Sequence, residues 1–310
     1  MNNGPFRLLT RSDFDGLVCA VLLEELDMID DIEFVHPKEM QDGTVLVSDR
    51  DITTNLPYVR GVHLAFDHHL SEIIRLDEIP DNYVIDATAP SAARVVYEHF
   101  GGKDGFPNVS DDLMAAVDKS DSGQFDESEI RDPREWVLLN FLMDPRTGLG
   151  RVKDFRVSNR ELMRTMITAC RTHDIDEILA LPDVKERVVI YEAHQENAEY
   201  QIKRCTAVHG NVGVLDYRGE EEIFATNRFL VYALFPEINI SIHVLAGREH
   251  VNTILAVGKS VLNRTSKTNV GALMLEHGGG GHESAGTCQV EDHEADQVLA
   301  GLVERIGRDG

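Results

Sequence analysis

The feature that most constrains this chain is an alternation in its first half. Short β-branched or apolar runs at 8–10, 32–36, 45–48, 62–66 and 83–86 are interleaved with amphipathic stretches at 17–26, 92–100 and 111–117. The short runs read as strands and the 3.6-residue periodicity between them as helices. Strands alternating with helices fold as a mostly parallel sheet covered by helices on its faces. Ligands of such sheets sit beyond the carboxyl ends of the strands. The expectation is an α/β chain whose chemistry follows directly after its strands.

A helical section follows at 133–181, and 184–206 reads as one long helix rich in Glu, Gln, Ala, Lys and Arg. The strand pattern then restarts at 212–217, 240–246 and 251–257, with helical stretches near 225–234, 270–276 and 293–306. The expected organisation is a first α/β domain over 1–185, a linker helix over 186–206 and a smaller α/β domain over 207–310. No apolar run approaches the roughly 18 residues of a membrane-spanning helix, and the amino-terminal stretch lacks an apolar signal core. A soluble, cytoplasmic protein with no membrane partner is expected. Cys19, Cys170, Cys205 and Cys288 form no C-x-x-C pair, which argues against a structural zinc site and a disulfide framework.

Charge narrows the substrate. With 54 acidic against 30 basic residues, the net charge is −24. Affinity for long duplex nucleic acid rests on many Lys and Arg contacts to phosphate, so such a partner is not expected. A small phosphate-bearing substrate remains compatible if a local positive site meets it, and a bound divalent ion is one way to make such a site. Much of the acidity serves solubility alone.

The ordering of particular acids says more. Ser12-Asp13-Phe14-Asp15-Gly16 follows the first strand-like run, and Ser48-Asp49-Arg50-Asp51 follows the run at 45–48. Asp67-His68-His69 follows the run at 62–66, and Asp118-Lys119-Ser120-Asp121 closes a helical stretch. Carboxylates beside imidazoles suit Mn²⁺, Fe²⁺, Co²⁺ or Zn²⁺, and a histidine off the metal can move protons. Acids drawn together must bind cations, repel or take up protons. Two ions about 3.5–4 Å apart could activate a water and neutralise phosphoryl charge. Further on, four glycines (278–281) precede His282, a run that allows close backbone approach to an anion. Arg264 is a candidate phosphate contact.

In this order, S-D-F-D-G, D-x-D, D-H-H, an aspartate-rich fourth segment and a distant G-G-G-G-H resemble the DHH phosphoesterase superfamily. The last hundred residues resemble the DHH-associated domain of its RecJ-like and nanoRNase-like branch. The resemblance covers most of the chain. It implies a metal-dependent hydrolase of phosphodiester or phosphoanhydride bonds, acting like an oligoribonuclease, a dinucleotide phosphodiesterase or an exopolyphosphatase. The substrate would be a short oligonucleotide, a dinucleotide or polyphosphate; short single-stranded nucleic acid is a compatible partner, and a homodimer is one assembly open to it. Two ions are implied, Mn²⁺ or else Mg²⁺ or Co²⁺.

Carried over by residue, Asp13 and Asp15 match the first motif's ligands. Asp51 matches the second motif's bridging aspartate, with Asp49 the competitor. His68 matches the ligating histidine and His69 the one near the scissile phosphate, so His69, His68 and Asp67 are the implied catalytic group. Asp118 or Asp121 matches the fourth motif, the following Ser-Gly-Gln-Phe leaning toward Asp121. Gly279, Gly280, Gly281 and His282 match the substrate-binding motif. One departure stands out: where the family often has His or Asp, this chain has Arg11, which cannot ligate a metal and is instead read as a phosphate contact. The alternative function is a nucleotide- or phosphate-sensing protein on the same fold, without hydrolysis.

Overall fold

The structure, a computed structural model, describes residues 5–152, 154–247 and 251–310; residues 1–4 of the stretch read above for a signal core lie outside it. The chain divides into two compact units, Met1–Gln124 with Pro133–Ile190, and Phe125–Asp132 with Tyr191–Gly310.

In the first unit the chain runs β1 (Phe6–Thr10), α1 (Phe14–Glu25), β2 (Ile29–Phe34), α2 (Pro37–Gln41), β3 (Asp51–Thr54), β4 (Leu64–Asp67), α3 (Leu70–Arg75), β5 (Tyr83–Ile85), α4 (Ala92–His99), α5 (Gly102–Gly105) and α6 (Asp111–Asp121). After α7 (Glu127–Arg131), which belongs to the second unit, come α8 (Glu135–Met143), α9 (Asn159–Thr172), α10 (Ile175–Ala180) and α11 (Pro182–Cys205), the last of which belongs to the second unit from Tyr191 on. The five strands are all parallel, in the order β2-β1-β3-β4-β5. Strand order therefore reverses between β1 and β3, the point where open α/β sheets leave a crevice at their carboxyl edge.

Helix α1 explains why that edge is firm. Every residue from Phe14 to Leu23 is buried, because the helix packs on β1 and β2 and also on α4, α6 and α9. A helix enclosed on all sides has no use for a polar face, and this one is apolar nearly all round. At the switch point Thr54 Oγ1 donates to Thr10 Oγ1 at 2.7 Å, and Thr10 Oγ1 to the Thr54 carbonyl at 3.2 Å. These buried bonds tie the last residues of β1 and β3 together.

One strand lies elsewhere than expected. The run at 45–48 forms no strand; β3 begins at Asp51, after the acidic turn instead of before it. Val45 and Val47 pack on the small cluster of Leu9, Val35, Met40 and Leu56, so their apolar character serves burial without a ladder. The register pairs Arg7 with Asp51 at the amino end and Thr10 with Thr54 at the carboxyl end. There Arg7 grips the Asp51 carboxylate with two bonds, Nε to Oδ1 at 2.7 Å and Nη2 to Oδ2 at 3.0 Å. The Ser48 amide donates to Oδ2 at 2.6 Å. Burial would raise the pKa of Asp51, but Arg7 and Ser48 hold it below the ordinary carboxylate value.

The second unit carries a mixed sheet, β10-β11-β9-β8-β7-β6, built from β6 (Thr206–His209), β7 (Val212–Asp216), β8 (Ile240–Ala246), β9 (Asn252–Lys259), β10 (Gly280–Gly281) and β11 (Ala285–Glu291). Only β7 and β8 pair in parallel. Helices α12 (Leu230–Leu234), α13 (Val270–Leu275) and α14 (Ala295–Asp309) complete it. Its core joins Val212, Ile240, Ile242 and Leu255 to Leu302 and Ile306 of α14. Strand β11 was absent from the sequence reading, and the helical stretch read at 225–234 contracts to α12. Among the described residues no helix is long and apolar enough to cross a membrane.

Asp51→Ala should lower unfolding free energy by roughly 2–3 kcal/mol, because it leaves Arg7 and the Ser48 amide without their acceptor. Divalent-cation affinity should be unchanged. Denaturant unfolding and a Mn²⁺ titration of the same variant check both halves.

Candidate metal centre

The carboxyl edge of the first sheet collects the side chains that matter. Asp13 follows β1 and caps α1, its Oδ1 accepting from the Gly16 amide at 3.0 Å. Gly16 is there for closeness: a Cβ at this position would lie 2.0 Å from the Arg11 carbonyl oxygen. The glycine of S-D-F-D-G therefore lets α1 start against the end of β1.

Asp15, one residue into α1, is 2% exposed. Its two oxygens accept from the backbone amides of Ala92 at 3.0 Å and Ala93 at 2.8 Å, the first turn of α4. Exposed amides at a helix start suit a carboxylate. Even so, burial, together with the charges of Asp121 and Asp13, lifts its pKa to about 7, with His68 pulling the other way.

His68 follows β4. Its Nδ1 lies 3.2 Å from the Ala89 carbonyl, which fixes the ring. Its Nε2 is 3.0 Å from Asp121 Oδ2 at the end of α6, yet the two are not aligned as a hydrogen bond, and among the described residues the buried nitrogen has no hydrogen-bond partner. Nitrogen and oxygen lie side by side, an arrangement suited to a third body between them. Burial works to lower the His68 pKa, but Asp121, Asp15 and Asp67 raise it to about 10. Conversely, burial would raise Asp121, and His68, His69 and Arg11 hold it below its ordinary value.

Asp15, His68 and Asp121 each offer a ligand atom, and the three atoms lie within 4.8 Å of one another. Two hard oxygens and one imidazole nitrogen, that nitrogen lying 3.0 Å from the Asp121 oxygen without a hydrogen bond to it, fit a divalent ion such as Mn²⁺ that accepts mixed O and N ligands. Outer supports are also present: the Ala89 carbonyl for His68 and the α4 amides for Asp15, the kind that orient ligands before an ion arrives.

The remaining expected ligands divide. Asp13 lies beside the trio, but its oxygens are engaged: Arg11 Nε is 3.0 Å from Oδ2 and Asn55 Nδ2 is 3.2 Å from Oδ1. Asp118 accepts from Ser91 Oγ at 2.7 Å and from Arg94 Nε at 2.9 Å, so it anchors α4 to α6 and leaves Asp121 facing His68. Asp51 and the exposed Asp49 are corrections: both sit at the amino end of β3, and three residues of strand, about 10 Å, separate Asp51 from the carboxyl edge. At that edge β3 delivers Asn55, 2% exposed and with φ of +55°, a conformation asparagine tolerates better than most residues. Asn55 was missed; reading Ile52-Thr53-Thr54 as the strand would have found it.

Asp67 has an orienting arrangement. It is fully buried at the end of β4, and Oδ1 accepts from the His68 amide at 2.8 Å and lies 2.6 Å from His69 Nδ1. Oδ2 accepts from Tyr83 OH at 2.9 Å. Both oxygens are thus spent on holding the histidine pair, whose ring centroids are 4.4 Å apart. Burial lowers the His69 pKa and Asp67 more than offsets it, so it ends above the ordinary histidine value. Tyr83 was not singled out from sequence, nor was Arg146, paired with Asp144 at 2.7 Å and close enough to feel the charges of Asp13 and Asp121.

In the second unit, the glycine run is shaped mainly by packing. Gly281 has φ of +154°, and a Cβ there would lie 2.3 Å from the Ala285 carbonyl oxygen across the β10–β11 pair. A Cβ on Gly279 would lie 2.2 Å from the Thr287 carbonyl oxygen, whereas one on Gly280 would meet nothing. His282 is exposed, and its amide donates to the Ala285 carbonyl at 2.7 Å. Arg264 is exposed, with Nε donating to the Val261 carbonyl at 3.0 Å.

No protein-family model matches the chain, and no curated protein matches it. Among solved structures, the pGpG-specific phosphodiesterase PggH of Vibrio cholerae is 53% identical, with 98% of this chain and 100% of that one covered at a TM-score of 0.83. RecJ of Thermus thermophilus in complex with Mn²⁺ is 14% identical, with 97% of this chain and 52% of that one covered at a TM-score of 0.56. That second likeness is one of fold.

Asp121→Asn should abolish divalent-cation binding measured by calorimetry, whereas Asp118→Asn should retain it and lose stability. Protonation gives a second test. Asp15 and His68 hold their protons more tightly folded than unfolded, so the metal-free fold loses that contribution as pH rises through about 7 and then about 10. An arriving cation displaces those protons. The rise in melting temperature on adding Mn²⁺ should therefore be larger at about pH 8 than at about pH 6; equal rises would contradict the assigned ligands.

Proposed function

The chain belongs to the DHH phosphoesterase family and is a hydrolase of small phosphate-ester substrates, and from that premise we propose that it cleaves the phosphodiester of pGpG in a divalent-cation-dependent reaction. The observation that carries this reading is the convergence of Asp15, His68 and Asp121 on one point at the carboxyl edge of the sheet, in a chain alike over its whole length to a pGpG-specific enzyme.

Water attacks phosphorus and the bond to the leaving ribose oxygen breaks, giving two molecules of GMP. A divalent cation held by Asp15, His68 and Asp121 would polarise the attacking water and neutralise phosphoryl charge; Mn²⁺ fits the mixed donor set. The chain's own residues do the rest. His69, held through Nδ1 by Asp67, is fixed in direction, and the Asp67 carboxylate raises its pKa, which favours the protonated form a general acid needs to protonate the leaving oxygen. Tyr83 secures the second Asp67 oxygen, so the imidazole is oriented by two links in series. Arg11 and Arg146 bring guanidinium groups to the same edge and supply positive charge for phosphate oxygens. A net charge of −24 disfavours long polyanions and suits a dinucleotide.

The test is an assay of the full chain with Mn²⁺ against pGpG, a cyclic dinucleotide, polyphosphate and longer RNA. Two GMP per pGpG are expected, with the other substrates turned over far more slowly. His69→Asn should lower kcat by about 10²–10⁴-fold with KM little changed. No GMP from pGpG in the presence of Mn²⁺ would refute the assignment.

A further inference from the structure

We infer that Arg11 occupies the place of a second cation, so that the centre holds a single divalent ion. This rests on the metal-dependent reading above and goes beyond it by setting the number of ions and the reason for it.

The inference comes from accounting for each acid at the edge. Asp15 and Asp121, with His68, converge within 4.8 Å. Asp13 is the next acid along, and its oxygens are already engaged: Oδ1 accepts from the Gly16 amide and from Asn55 Nδ2, and Oδ2 is ion-paired with Arg11, whose Nε lies 3.0 Å away. Among the described residues, the other acids of the motifs are spoken for or, like the exposed Asp49, lie at the amino end of β3. Asp118 is bound by Arg94 and Ser91, Asp67 by His69, Tyr83 and the His68 amide, and Asp51 lies with Arg7 at the other end of its strand. At the end of β3 stands Asn55, whose amide brings no charge and donates to Asp13.

Charge agrees with the ligand count. Asp13, Asp15 and Asp121 contribute three negative charges and Arg11 one positive, leaving two, the charge of one divalent ion. Arg146 does not alter this sum, because Asp144 pairs with it. Three protein ligands with the remaining positions open is also the pattern of a catalytic ion that must admit water and substrate. Guanidinium stays protonated at any working pH and cannot ligate, so Arg11 gives permanent charge where an ion would give exchangeable charge. It still presents N–H groups to a phosphate oxygen.

The count is directly measurable. The full chain is stripped with chelator, loaded with Mn²⁺ and analysed for bound metal and for its electron paramagnetic resonance spectrum. One ion per chain with the hyperfine pattern of an isolated Mn²⁺ is expected. Arg11→Lys, which keeps the charge, should stay at one; Arg11→His, which offers a ligand and frees Asp13, should rise to two with an exchange-coupled spectrum. Two coupled ions in the unaltered chain would overturn the inference while leaving the metal-dependent reading intact, and this arm does not depend on any variant folding. A folded Arg11→His chain that still holds one ion would also overturn it. No bound ion at all would defeat the metal-dependent reading itself.

Discussion

Carboxylates gathered at one place must be answered with positive charge or protons. At an effective dielectric constant near 20, two unit charges about 4 Å apart interact by about 4 kcal/mol, a large part of the stability of a typical domain. The carboxyl edge of the first sheet brings Asp13, Asp15 and Asp121 together, and each is answered differently. Asp15 takes two amides from the start of α4 and retains a proton near neutrality. Asp13 takes Arg11 and Asn55. Asp121 takes the imidazole of His68. Most of the arrangement around the centre is compensation for that gathering, and an arriving cation replaces the two protonated answers.

The signature motifs were legible in sequence because the chemistry is local. D-x-D-G, D-H-H and the acids closing α6 are each contiguous and follow an element that could be recognised by periodicity. What failed was placement. Val45 and Val47 have strand-like side chains and pack like strand residues, but no ladder forms there, and the true strand begins only at Asp51. That shift carried Asp51 from the working edge to the opposite one and concealed Asn55. Asp118 and Asp121 could not be separated because positions three apart lie on one helix face; only the contact of Arg94 with the first of them divides their roles.

The three letters of D-H-H do three different things here. His68 is the member that joins the ligand trio, His69 is the oriented proton carrier, and Asp67 touches neither Asp15 nor Asp121 in the bonds it makes. A fully buried aspartate with two histidine contacts and a tyrosine is a fixed mount, so the motif encodes direction as much as chemistry. The role of Tyr83 followed only from the alignment of Asp67 with Ile85 on the neighbouring strand, which brings β5 alongside.

Parallel strands give the first unit two unlike margins. At one, Arg7 and Asp51 fasten β1 to β3 with paired charges; at the other, the same strands deliver groups held in an unsettled electrostatic state. Robustness and turnover are thereby assigned to separate ends of a single sheet. An engineer seeking a hardier enzyme has a natural place to work at the Arg7 margin, out of reach of the residues that must stay poised.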